Sequence, residues 1–155
     1  MQYLFEQEYI KHERALFLVA VAYLKNTEEA KDVLQDAALS AYQAFETLRN
    51  KEYFKTWLTR IVINKCKNHI KSRRYTEELT DNLNVFYNTD TTELEIMDAL
   101  CKMSPGSSVY ITLKFYNDMT YDDIARSMML PVSTDKYRTK NALNELKKLL
   151  EGDEV

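Results

Sequence analysis

Glycine and proline are scarce: the 155 residues include two of each. A sheet needs many tight turns, and tight turns draw on those residues. Their scarcity argues against a β-rich fold and for long helices. Cysteine is as thin. Cys66 and Cys101 form neither a disulfide framework nor a metal-ligand spacing, and each falls in a helical pattern where a buried, reduced thiol is expected. Histidine occurs twice, as His12 and His69, and neither stands in a metal-ligand motif. There is no glycine-rich phosphate loop and no nucleophile motif. The expectation is no enzyme, no metal, no cofactor and no small-molecule substrate. No run approaches the roughly 20 consecutive apolar residues of a membrane span. The first residues carry Glu6, Glu8 and Glu13 without a basic start, unlike a signal peptide. A cytoplasmic protein is expected.

What is abundant is helix-forming material, with 45% hydrophobic and 29% charged residues. The formal charge of −3 hides a strong asymmetry. Residues 49–74 hold Arg49, Lys51, Lys55, Arg60, Lys65, Lys67, Lys71, Arg73 and Arg74 against Glu52 alone. The segments on either side are net acidic. A phosphate backbone responds to the local field rather than to net charge, so one basic block between acidic segments suggests two different partners.

Apolar residues at three- and four-residue spacing place the helices. Tyr9–Lys25 is apolar on two sides, with Leu16, Val19 and Tyr23 on one stripe and Phe17, Val21 and Leu24 on another. Such a helix is packed between neighbours. Asn26 reads as an N-cap with Glu29 closing a capping box. A second helix runs to about Leu48, its core face built on Ala30, Val33, Leu34, Ala37, Ala41 and Phe45. The polar turn Arg49–Glu52 leads to a third helix over Tyr53–Ser72, with Trp57, Leu58, Ile61, Val62, Cys66 and Ile70 inward. Residues 75–92 lack sustained periodicity and read as a flexible linker. A second domain follows: a helix over Leu94–Cys101, a stop at Ser104-Pro105-Gly106, and a helix over Ser107–Tyr116. Next come a short helix capped by Thr120 with Asp123 in the third position, the turn Leu130-Pro131-Val132, and a last helix over Thr134–Leu150 capped by Ser133. The fold class is all-α, with two small helical domains, three helices then four, over residues 1–74 and 93–155.

Three constellations carry chemistry. On the third helix Arg60, Asn64, Lys67 and Lys71 share a face, with Asn68 beside them. Asparagine is a poor helix former, but its amide can both donate and accept at a base edge. Tyr53 and Phe54 stand at the mouth of the preceding turn, and aromatics beside a basic groove are what single-stranded DNA binding uses. Packing is the plainer reading for both. Thr120–Leu150 has the form of a helix-turn-helix, whose second helix enters the major groove. Ser133, Thr134, Lys136, Tyr137, Arg138 and Lys140 lie at its amino end. The third constellation, Asp32, Gln35 and Asp36, is by itself an ordinary solvated helix face.

Together these residues resemble a family. Asp32-Val33-Leu34-Gln35-Asp36, followed by Phe54-Lys55-Thr56-Trp57-Leu58-Thr59-Arg60-Ile61-Val62-Ile63-Asn64, resembles the second conserved region of bacterial extracytoplasmic-function (group IV) RNA polymerase sigma factors. Met119-Thr120-Tyr121-Asp122-Asp123-Ile124-Ala125, with Pro131-Val132-Ser133-Thr134 and Lys136-Tyr137-Arg138, resembles their fourth region. The resemblance implies a sigma factor that binds core RNA polymerase and directs transcription initiation, in a stress or envelope response. Asp32, Gln35 and Asp36, with Leu34 near them, would dock on the clamp of the largest polymerase subunit. The turn Arg49–Phe54, with Tyr53 and Phe54, and the face Arg60, Asn64, Lys67 and Asn68 would hold the melted minus-ten element. Lys71, Arg73 and Arg74 would meet phosphates. The last helix would read the minus-thirty-five duplex through Ser133, Thr134, Lys136, Tyr137, Arg138 and Lys140. An anti-sigma factor, often membrane-anchored, would cover these surfaces and hold the protein at the inner face of the membrane.

Three departures from the family pattern stand out. The family has a small apolar residue where Asp135 stands and an apolar one where Thr139 stands. Pro105-Gly106-Ser107-Ser108 replaces a stretch that usually carries a basic and an aromatic residue. Facing inward, Asp135 would cost stability or take up a proton; facing outward, it would complement the helix dipole. Val132 and Ala142 bracket a turn that must pack on Ile124 and Met128, which favours the inward case. Two rival functions remain at this level. A helix-turn-helix regulator acting without polymerase core binding leaves Asp32–Asp36 and Trp57–Asn64 unused, and a purely structural interaction protein leaves the basic block unused.

Overall fold

A computed structural model describes residues 2–73, 91–104 and 106–151, with backbone alone over 91–94. Among the described residues there is no strand, and the seven α-helices are α1 (Gln2–Leu24), α2 (Thr27–Ala44), α3 (Phe54–Arg73), α4 (Thr91–Lys102), α5 (Ser107–Ile111), α6 (Tyr121–Met128) and α7 (Val132–Leu150). The 75–92 linker, apart from its last two residues in α4, and Arg74 lie outside the described residues.

The polar interruptions act where the sequence places them. Asn26 is extended and its side chain accepts from the Glu29 N–H at 3.0 Å, capping α2. The Glu29 carboxylate does not close the box. It is drawn instead to the end of α3, where Arg73 donates to it through Nε at 3.0 Å and Nη2 at 2.6 Å, with His69 Nε2 at 2.7 Å. At α6 both halves of the capping box form between Thr120 and Asp123. α2 ends at Ala44, earlier than its periodicity suggests, because Phe45–Thr47 tightens into a 3₁₀ turn. Ser133 does not cap α7. Pro131 takes the extended N-cap geometry with no side-chain bond, and the helix begins at Val132. The helix expected over Ser107–Tyr116 is α5 followed by a π-helical turn over Thr112–Tyr116.

Burial explains the two apolar stripes of α1. Leu16 through Ala22 are all buried, because α1 is covered on one side by α2 and α3 and on the other by α4, α5 and the π turn. One cluster gathers Phe5, Leu16, Val21, Phe45, Phe54, Leu58 and Val62. A second gathers Leu100, Met103, Val109, Ile111, Leu113, Met119, Ile124 and Ala142, and it also takes Val19, Ala22 and Ile63 from the first bundle. The two helical units therefore share a core. Polar ties reinforce the contact: Ser108 Oγ donates to the Ala22 carbonyl at 3.1 Å, and the Tyr23 hydroxyl donates to Met128 Sδ at 3.5 Å. Cys66 is buried and Cys101 half-buried, both as free thiols, and burial pushes the Cys66 thiol up to about 12 and Cys101 up to about 11. Neither is a thiolate near neutral pH.

Candidate nucleic-acid interface

The core stripe of α2 turns Asp32, Gln35 and Asp36 outward, and all three are exposed. Leu34 is not part of that surface. It points into the first core cluster at 7% exposure, since two positions from Asp32 is about half a turn. Asp36 pairs with Lys65 of α3 at 3.2 Å, a largely exposed ion pair of small energetic weight.

α3 buries Phe54, Leu58, Val62, Ile63 and Cys66 and leaves Arg60, Asn64, Lys67, Asn68 and Lys71 exposed along its opposite side. Tyr53 is half exposed at the mouth of the turn, at 52%, whereas Phe54 is 2% exposed. Phe54 sits edge-on to Phe5 and Phe45, at 5.9 and 5.7 Å between centroids. It is a core residue with no ring face in solvent, whereas Tyr53 keeps one there. The turn before it is held by Lys51, which donates to the carbonyls of Phe45 and Leu48 at 3.0 and 2.7 Å and lies 4.2 Å over the Phe45 ring. The sequence marks Lys51 as a basic residue of that turn, but not as the side chain that holds it together. Arg73 is turned inward to Glu29 and the Leu24 carbonyl, anchoring the end of α3 to the α1–α2 turn.

α7 presents Ser133, Lys136, Tyr137, Arg138 and Lys140 to solvent, with Thr134 half-buried. Asp135, Thr139 and Ala142 form the inward stripe and are buried. The Thr139 hydroxyl donates to Asp135 Oδ1 at 3.1 Å, while Oδ2 has no partner among the described residues. Burial raises the Asp135 carboxyl above the usual carboxylate range, partly offset by the Thr139 hydrogen bond and by Lys114. Two residues that sequence reasoning left aside, Tyr110 and Lys114, stand at this end of α7 together with Tyr121 of the region-four motif. Tyr110, on α5, accepts from Arg138 Nη1 at 3.0 Å. Lys114 and Lys136 lie over the Tyr121 ring, 4.1 and 5.8 Å from its centroid. Each of these partners lies on a different element, so spacing along one helix does not reveal the contact.

An acidic face on α2 and a basic face on α3 are followed by a helix-turn-helix at α6 and α7; the comparisons with known proteins place this arrangement in a family. Residues 9–76 match the model of sigma-70 region 2 and residues 93–146 that of sigma-70 region 4. Relatives include the RNA polymerase sigma-H factor of Pseudomonas aeruginosa, 27% identical over 92% of this chain and 83% of that protein. Another is the ECF RNA polymerase sigma factor SigM of Mycobacterium tuberculosis, 28% identical over 96% of this chain and 78% of that one. Two solved structures share the fold. The sigma factor RpoE of Bartonella quintana, in complex with the anti-sigma factor NepR, superposes with a TM-score of 0.77 at 23% identity, covering 96% of this chain and 98% of that one. CnrH, in complex with the cytosolic domain of CnrY, gives 0.72 at 25% identity over 99% and 91%. The chain belongs to the sigma-70 family of RNA polymerase sigma factors, in its extracytoplasmic-function group. This is a family of initiation factors, not of catalysts.

Proposed function

We propose that the protein binds core RNA polymerase through the exposed α2 face of Asp32, Gln35 and Asp36, and promoter DNA through α3 and α7. Residues 1–74 form the polymerase and minus-ten unit, and residues 93–155 the minus-thirty-five unit. On α3, Tyr53 offers a stacking face for an unpaired base. Arg60, Asn64, Lys67 and Asn68 supply base-edge and phosphate contacts along one line, and Lys71 and Arg74 add phosphate contacts. On α7, Ser133, Thr134, Lys136, Tyr137, Arg138 and Lys140 face the major groove of the duplex.

The observation that carries this reading is that both an acidic α2 face and a basic α3 face are left exposed. Five polar residues lie exposed on one side of α3 and three on α2, and none of the eight is buried in a core. An operator-binding regulator would have no use for the α2 face or for the region 2 match. Both related structures are complexes, one named with an anti-sigma factor and the other with a cytosolic domain. By the same logic this chain is held in check by an anti-sigma factor that covers these faces in the cytoplasm, at the inner face of the membrane where that partner is anchored. In the chain itself, no described helix is long and apolar enough to cross a membrane.

Transcription in vitro with purified core polymerase on a randomised promoter library tests the reading. Initiation at a recurring promoter sequence is expected. Duplex binding without initiation would support the regulator instead.

A further inference from the structure

Arg138 is exposed on the DNA-facing side of α7, yet one of its nitrogens is already engaged. Its Nη1 donates at 3.0 Å to the hydroxyl of Tyr110. Tyr110 belongs to a different helix and is 4% exposed, its ring fixed in the second core cluster among residues such as Val109, Leu113 and Ala142. The phenol oxygen is thus a fixed acceptor at the edge of a packed core. A free arginine on a helix surface samples many rotamers, and binding must freeze them. An arginine already held at one corner loses less freedom when it meets a base. A guanidinium carries five N–H donors in a planar fork. One is spent on Tyr110 and four remain, enough for a two-pronged contact to a guanine edge.

We infer that Tyr110 is a positioning residue for duplex recognition: its buried hydroxyl pre-orients Arg138 toward the major groove. The inference rests on the proposed role of α7 in reading duplex DNA, and on an internal contact which that role does not require. Lys114, one turn further along the same segment, stands over Tyr121 with Lys136. The α5–π segment therefore supports the reading helix at two points.

The test is a double-mutant cycle on the full chain, with Tyr110→Phe, Arg138→Ala and the pair. The probe is the duplex most enriched by the wild-type protein with core polymerase from a randomised promoter library. Phenylalanine keeps the ring and removes only the hydroxyl, so the core is retained, and thermal melting checks it. Tyr110→Phe is expected to weaken binding about 3- to 10-fold, the equivalent of one hydrogen bond of pre-organisation. Discrimination against a substituted base at the Arg138 position should fall in parallel. The dependence on salt should not change, because the charge stays. In the Arg138→Ala background the same substitution should have no further effect. An equal loss in both backgrounds, or no loss beside an impaired Arg138→Ala, overturns the positioning role while the reading of α7 stands. Unchanged binding by Arg138→Ala overturns the reading of α7, and the positioning role with it.

Discussion

Thr139 donates its hydroxyl to Asp135 one turn earlier on α7, at 3.1 Å, and both side chains are buried. These are the two positions of the helix-turn-helix where the sequence departs from the apolar pattern of its family. The departures are partners. A carboxylate at a core position is tolerable when something donates to it, and the hydroxyl at position 139 supplies one bond. The second carboxylate oxygen remains without one among the described residues, so the compensation is incomplete.

Replacing Asp135 by valine should therefore stabilise the protein. The released Thr139 hydroxyl can turn to the main-chain carbonyl of residue 135, as helical threonines do. A gain of about 1 kcal/mol corresponds to a melting temperature roughly 2–4 °C higher for a protein of this size. A lowered melting temperature would show that Asp135 is fully satisfied. The pH dependence gives a second readout. The folded carboxyl titrates above its ordinary value of 3.8, so the folded state binds its proton more tightly than the unfolded chain does. Its favourable contribution is full below 3.8 and is lost as pH rises through the raised folded value. The advantage of Asp135→Asn over the native protein should accordingly be largest near neutrality and shrink on acidification.

The α2 face can be emptied without harm to the fold. Asp32→Ala with Asp36→Ala removes two exposed carboxylates and one exposed ion pair, to Lys65. Exposed pairs of this kind contribute about 0–1 kcal/mol, so melting should be nearly unchanged while retention on immobilised core polymerase drops. Undiminished retention would make this face plain solvated surface.

On α3, Asn64→Ala and Asn68→Ala should each slow open-complex formation and spare polymerase binding. Alanine is the better helix former, so neither variant should be less stable than the native chain. Permanganate reactivity of melted thymines is the measurement, and native reactivity in both variants would remove the asparagines from the DNA face.

Arg73 and Glu29 should behave as structural partners. Glu29→Ala leaves the Arg73 guanidinium and His69 without their shared carboxylate and frees the end of α3. With all three side chains partly exposed, a loss of about 1 kcal/mol is expected, seen as a melting temperature lower by roughly 2–4 °C. Arg73→Ala should show the same loss, and the double variant little more than either alone. Additive losses would mean that the two do not act as a pair.

Much of this was legible in the sequence, for identifiable reasons. The double stripe of α1 announced cover on both sides, and Thr120 with Asp123 announced the start of α6, because both signals are local. Side-chain direction at motif positions was harder. Phe54 stands next to exposed Tyr53, but one residue along a helix is about 100° around it, so one faces solvent and the other the core. Leu34 shows the reverse conflict: its periodicity placed it in the core, and only its place inside the acidic motif drew it toward the surface. Asp135 was legible as an anomaly, and the inward case held. The contacts of Glu29 with Arg73 and of Tyr110 with Arg138 join residues 44 and 28 positions apart, and they depend on how helices cross, which spacing along one helix does not encode.

The core shared between the two helical units has a mechanical consequence. Moving the units apart would peel Val19, Ala22 and Ile63 away from Leu100, Met103 and Val109. That step wets apolar surface, at about 25 cal/mol per Å² exposed. Any partner that holds the two units apart therefore works against this shared core.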